Sequence, residues 1–221
     1  MKGFIVYSTY DVIDEKTMIQ LFGRLENGQS FVAVNEMKPY FFIKTKEVDK
    51  IKKYLSSFVI EDTKFTNFAQ EPVTKISSST VALLKKLHPI LKSHMIETYE
   101  EDIRPHFRFL IDNNIQGTVE ITGDYDSSDR IDRIYKEPTL KAAEYKPKLK
   151  TLSIDTESDK LGNLFCIGMY SDGYKKNFMI SDKRLENTVS CKDELECLER
   201  FKAELLKFDP DIITGWNVID F

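Results

Sequence analysis

The sequence predicts a mixed α+β protein in two parts, a β-rich first part and an α/β second part. Three observations lead there. Short runs of β-branched and aromatic residues crowd the first 45 positions, as strands require. The stretch 136–148, KEPTLKAAEYKPK, has two prolines and four lysines with no apolar period, and reads as a boundary. Beyond it, three strand-like runs, a helix and a further strand read as an α/β layer. The 221 residues accommodate two modest domains, 1–147 and 148–221.

In chain order, FIVYSTY, MIQLFGRL, SFVAV and YFFIK predict an antiparallel meander, with Asn27-Gly28 supplying the positive φ angles of a tight hairpin turn. Residues 46–57 switch to a helical period, with Val48, Ile51 and Leu55 on one face. Phe58-Val59-Ile60 begins another strand. Ser78-Ser79-Thr80 can cap a helix carrying Val81, Leu83, Leu84 and Leu87, which Pro89 should end or kink. A strand at 96–99 leads to a helix with Phe107, Leu110 and Ile111 on one face, followed by extended segments at 118–122 and 131–135. This first part fits a barrel-like or ferredoxin-like mixed sheet. In the second part, KLKTLSIDTES, NLFCIGMY, NFMI and DIITGW read as strands, with a helix from about 193 to 207 before the last.

Composition narrows the function classes. A formal charge of -4, from 32 basic and 36 acidic residues, gives no whole-protein positive field, so any nucleic-acid contact must be local. Cys166, Cys191 and Cys197 lack the paired spacing of a zinc ribbon and read as reduced thiols. His88, His94 and His106 show no metal-binding spacing. No apolar run approaches the ~18 residues of a membrane span, so a cytoplasmic protein is expected.

The sharpest chemical signal is Asp155-Thr156-Glu157 at the end of a strand. Side chains alternate along a strand, so the two carboxylates share a face while Leu152 and Ile154 point into packing. Hard carboxylate oxygens suit Mg²⁺ or Mn²⁺, and two such ions ~3.5–4 Å apart are a standard device for phosphoryl transfer to water. Two carboxylates are too few to complete such a site. Without further context Trp216 reads as a core anchor, and the lysines of 136–150 read as a solvated face or a phosphate contact.

SIDTES followed some 60 residues later by DPDIITGWNVIDF resembles the first two exonuclease motifs of family B DNA polymerases, of both the archaeal kind and the bacterial polymerase II kind. The resemblance implies an RNase H-like 3′→5′ exonuclease domain in which Asp155 and Glu157 are catalytic metal ligands for Mg²⁺ or Mn²⁺. The second motif is Asn-x-x-x-Phe-Asp, matched by Asn217 and Phe221 as DNA-contacting residues. Its acid falls one position after Phe221, so Asp220 is not that ligand. The remaining acids and the polymerising domains are expected downstream, making the chain the N-terminal portion of a polymerase.

MIQLFGR, MKPYFFI and YEEDIRPHFRFLIDNNI look like the family's N-terminal domain, which in archaeal members reads template uracil. The resemblance puts Tyr10, Pro39, Tyr40 and Arg108 at the pocket positions, with Lys75 about where the family has an apolar wall. It further implies primer–template DNA and a single-stranded 3′ end as partners, deoxynucleotides and a sliding clamp through other domains, and a prokaryotic cytoplasmic setting. Two other readings stay open: a stand-alone 3′→5′ exonuclease, and a non-catalytic single-strand-binding module built on the first domain.

Overall fold

The computed structural model describes residues 1–216 and Val218. Contacts group the chain into two compact units, Met1–Pro147 and Lys148–Phe221.

The first unit opens with β1 (Lys2–Ile13), β2 (Lys16–Leu25) and β3 (Ser30–Glu36), the antiparallel meander read from the sequence. Asp14 and Glu15 form the first turn with φ of 49° and 59°. Two left-handed residues match the twist of a hairpin, but without glycine or asparagine the sequence does not announce them. In the second turn only Gly28 has positive φ, 86°, so one residue and not both supplies the bend.

The meander stops at three strands. Pro39 has no amide to continue a ladder, and its carbonyl instead accepts the Ser78 amide at 3.1 Å. The chain then enters a second sheet at β4 (Tyr40–Lys44). The helix expected over 46–57 is broken into a 3₁₀ turn (Thr45–Glu47), α1 (Val48–Ile51) and a second 3₁₀ turn (Lys52–Tyr54). None of the three starts has a side-chain cap, leaving the first-turn amides without that support. Ile51 and Leu55 are nevertheless buried, so the apolar period holds where the continuous helix does not.

Next come β5 (Val59–Thr66), β6 (Pro72–Ser77) and α2 (Val81–Lys85), whose Thr80 cap accepts the Leu83 amide at 3.2 Å. Pro89 opens α3 (His88–Ser93) and does not end a helix, because a first-turn position needs no amide. β7 (Thr98–Tyr99) precedes α4 (Pro105–Asp112). On α4, Phe107 and Ile111 are 50% and 58% exposed while Phe109 and Leu110 pack on the core. The expected apolar face is therefore rotated, because buried His106 and Arg108 take part of the inner side.

The unit closes with β8 (Thr118–Thr122), β9 (Tyr125–Asp126), β10 (Arg133–Lys136) and β11 (Thr139–Ala142). The last lies inside the stretch read as a linker and pairs with β8. The seven-stranded sheet runs β11–β8–β1–β2–β3–β10–β9, mixed because β10 is parallel to β3. The four-stranded sheet runs β5–β6–β4–β7, the ferredoxin-like order, over a core of Phe41, Ile43, Ile51, Ile76, Leu87 and Leu91.

The second unit contains β12 (Thr151–Ser158), β13 (Leu164–Ser171), β14 (Tyr174–Ile180), β15 (Thr188–Cys191), α5 (Glu194–Phe208) and β16 (Ile212–Thr214). The sheet order is β15–β14–β13–β12–β16. β12, β13 and β14 are antiparallel, with β16 parallel to β12 and β15 parallel to β14. This is the RNase H-like arrangement of an α+β protein, with β15 added beyond the strands read from the sequence. Asp193 caps α5 by accepting the Glu196 amide at 2.9 Å, and Asp209 ends it in the left-handed region. Leu152, Ile167, Met169 and Phe178 form the core with Phe201 and Leu205 of α5. Each such fully buried side chain stabilises by roughly 1.5–3 kcal/mol. Cys191 and Cys197 lie in this core as free thiols, and burial pushes the Cys197 pKa up to about 11. Trp216, read as a core anchor, is 93% exposed, since it follows the last strand and lies outside this core.

Candidate functional site

β12 separates packing from chemistry by its period of two. Leu152 is fully buried and Ile154 packs on the same core, while Asp155 and Glu157 are exposed. The neighbouring β13 sets Gly168 opposite Asp155 and Cys166 opposite Glu157. Burial first, then the charges of Glu157 and Asp155, push the Cys166 pKa up, so the thiol and both carboxylates share one electrostatic neighbourhood.

Gly215 links the second sequence string to this strand end. A Cβ on Gly215 would lie 2.3 Å from the Ile154 carbonyl oxygen, a contact no side chain tolerates. With Thr214 paired to Ser153, glycine brings the chain against β12 one residue before Asp155. Asn217 and Phe221, the DNA-contacting positions of the resemblance, lie outside the described residues, as does Asp220.

Among the described residues no group of three His, Cys, Asp or Glu is arranged to hold a metal ion. The pair on β12 nevertheless suits a hard divalent cation: two carboxylates on one face, reachable from solvent, beside a position with no side chain.

The four residues of the first unit are arranged differently. Tyr10 stacks on His106 at 5.9 Å and lines a groove of about 630 Å³ with Val6, Tyr7, Arg104 and Phe107. Pro39, Tyr40 and Arg108 do not line that groove. Tyr40 donates its hydroxyl to Asp112 at 2.8 Å, and the Arg108 guanidinium and the Lys75 ammonium lie 4.8 Å and 4.5 Å from its ring centre. Burial, then the bond to Asp112, pushes the Tyr40 pKa up. Arg108 is buried and pairs with Glu100 at 2.6 Å, and Pro39 is buried.

Sequence reasoning missed Gly168 opposite Asp155, and the Asp112 and Glu100 partners of Tyr40 and Arg108. Each depends on which residue of one element faces which residue of another, and the period within an element carries no such register.

An exposed carboxylate pair lies on the first strand of an RNase H-like sheet, and comparison with known proteins shows what this sheet is similar to. Residues 151–221 match the DNA polymerase family B exonuclease domain. The chain is similar to DNA polymerase II of Escherichia coli strain K12, 26% identical over 230 residues that cover 99% of this chain and 29% of the relative. It is also similar to a DNA polymerase of Archaeoglobus fulgidus, 24% identical over 234 residues, covering 98% of this chain and 29% of the relative. The fold matches the family B DNA polymerase from the hyperthermophilic archaeon Pyrobaculum calidifontis with a TM-score of 0.78 and 19% identity, covering 100% of this chain and 31% of that one. The chain thus spans about three tenths of the length of the curated relatives it matches. No helix among the described residues is long and apolar enough to cross a membrane.

Proposed function

We propose that the chain is the N-terminal part of a DNA-directed DNA polymerase and carries half of its 3′→5′ proofreading exonuclease site. The observation that carries the reading is the exposed Asp155–Glu157 pair on β12, inside the segment that matches the family B exonuclease domain. In this reading Asp155 and Glu157 are the catalytic carboxylates and hold the divalent ions, Mg²⁺ or Mn²⁺. When bound, such ions supply Lewis-acid activation of the phosphodiester and of the attacking water. The buried side of β12 fixes the spacing of the two carboxylates, and the packing of Leu152 keeps them turned toward solvent. Gly215 lies against the same strand end, and Asn217 and Phe221, which follow it in the sequence, are assigned to the DNA strand. The substrate is the single-stranded 3′ end of a primer–template. Deoxynucleotides and a sliding clamp belong to other parts of the longer protein, in a prokaryotic cytoplasm.

The first unit is assigned to the template strand, with Tyr10, Pro39, Tyr40 and Arg108 as its contact residues. The groove along β1 favours a single-strand contact at Tyr10, where exposed rings can stack on bases.

Mn²⁺ added to the ¹⁵N-labelled chain tests the metal reading. Paramagnetic broadening centred on Asp155 and Glu157, and lost in Asp155→Ala, is the expected result. Broadening centred elsewhere overturns it. With two carboxylates the 221-residue chain should trim a 3′-labelled single strand negligibly, and robust Mn²⁺-dependent trimming abolished by Asp155→Ala would contradict the half-site reading.

A further inference from the structure

His106 is a buried titratable group that the nuclease reading does not use. It sits in the first turn of α4, 6% exposed, and its Nδ1 is shut away from solvent with no hydrogen-bond partner among the described residues. A buried polar atom normally carries a bond, so its absence here asks for a reason. Other rings hold the side chain instead. It stacks on Tyr10 with centroids 5.9 Å apart and planes at 25°, and the Phe107 ring lies 4.2 Å away. Held in this way, His106 forms part of the wall of the groove along β1, with Val6, Tyr7, Arg104 and Phe107.

This packing has no place for a proton on Nδ1. The titratable groups that line the groove beside His106 are Tyr7 and Tyr10 from β1 and Arg104 from the start of α4; β2, which also packs on α4, adds none, and no carboxylate lines the groove. Arg108 of the same helix is paired with Glu100. An imidazolium would therefore be buried near a guanidinium with a new N–H and no acceptor. Burial first, then the charge of Arg104, hold the His106 pKa below its ordinary 6.5. A ring turned out into water titrates at that ordinary value, so the stacked ring keeps its full advantage above about pH 6.5 and loses it as the pH falls below. We propose that His106 is a pH-sensitive latch on this groove: neutral, it stacks on Tyr10 and completes the wall; protonated, it leaves the stack, and the groove loses its hold on a single strand. The strand in this proposal rests on the assignment of the groove to single-stranded DNA. The sign sets the latch apart, because acid makes a chain more positive and so strengthens its binding to a polyanion, whereas the latch weakens it.

The test follows the aromatic ring signals of the ¹³C-labelled chain from about pH 8 to about pH 5, with the affinity for oligodeoxythymidine measured over the same range. His106 should titrate below 6.5, and the Tyr10 ring signals should move with it. Affinity should fall with acid, by at most about ten-fold per pH unit, the limit for one coupled proton. His106→Phe keeps a ring against Tyr10 but takes no proton, so its affinity should stay level or rise with acid. Arg104→Gln removes the neighbouring charge and should move the His106 titration to higher pH. Affinity of the unsubstituted chain that rises with acid, an acid loss that persists in His106→Phe, or Tyr10 signals that stay still while His106 titrates would each overturn the latch. Absence of binding at every pH strikes the single-strand reading instead, and Tyr10 signals that still move with His106 would support the latch without it.

Discussion

Tyr40 and Arg108 in the first unit and Asp155 and Glu157 in the second are all polar residues singled out for a functional role, yet their surroundings differ. Tyr40 bonds Asp112 and has two cations near its ring, and Arg108 is buried and paired with Glu100. Asp155 and Glu157 face solvent beside a glycine and a half-buried thiol. A buried group whose partners are in place contributes to folding, because removing it leaves other groups unsatisfied. An exposed carboxylate contributes little to folding and keeps its lone pairs for a ligand. The contrast separates residues already engaged with partners in the fold from residues whose oxygens remain open to solvent.

Four measurements break or sharpen that contrast. The largest effect should come from Leu152→Ala, on the same strand as the acids but on its inner face. With Leu152 fully buried, the cavity should cost about 2–5 kcal/mol in urea unfolding of the second unit. Next, Arg108→Leu should cost about 1–3 kcal/mol in the first unit, since it strips Glu100 of its partner and uncovers the Tyr40 ring. A loss within experimental error would return Arg108 to the pool of uncommitted residues.

The third measurement concerns acid. Glu71 bonds Lys44, Lys46 and Asn67, and these bonds, that to Lys44 first, lower its pKa from 4.5 to about 2. A carboxyl depressed on folding stabilises the native state while ionised. Its contribution is complete above pH 4.5 and is lost as the pH falls toward 2. Urea midpoints between pH 2 and 5 should therefore fall with acid, and Glu71→Gln should flatten that slope. The smallest effect should come from Asp155→Asn and Glu157→Gln, each within about 0.5 kcal/mol of the unsubstituted chain. A loss of several kcal/mol from either would mean that the carboxylates hold the fold.

Periodicity exposed much of this molecule in advance. The alternation in β12 separates Leu152 from Asp155, and the capping residues Thr80 and Asp193 mark helix starts. Signals that depend on distant partners were illegible. The Asp14-Glu15 turn carries no glycine, β11 hides in lysine-rich sequence because β8 completes its pairing, and the turns over 45–54 do not join into one helix. The candidate site divides in the same way. Asp155 and Glu157 follow from spacing along one strand, whereas Gly168 enters only when β13 is aligned with β12.

The parallel pairing of β16 with β12 also orders the folding of this unit in time. β12, β13 and β14 are joined by short hairpins, so their contacts close early at small entropic cost. Ile212 reaches Thr151 only after β15 and α5 have been made, a long-range contact of the kind that slows folding. On the ribosome β12, the acid-bearing strand, has one free edge until that late contact forms. That free edge is then a target for wrong pairing, and a chaperone or slow translation over 190–215 would favour the correct partner.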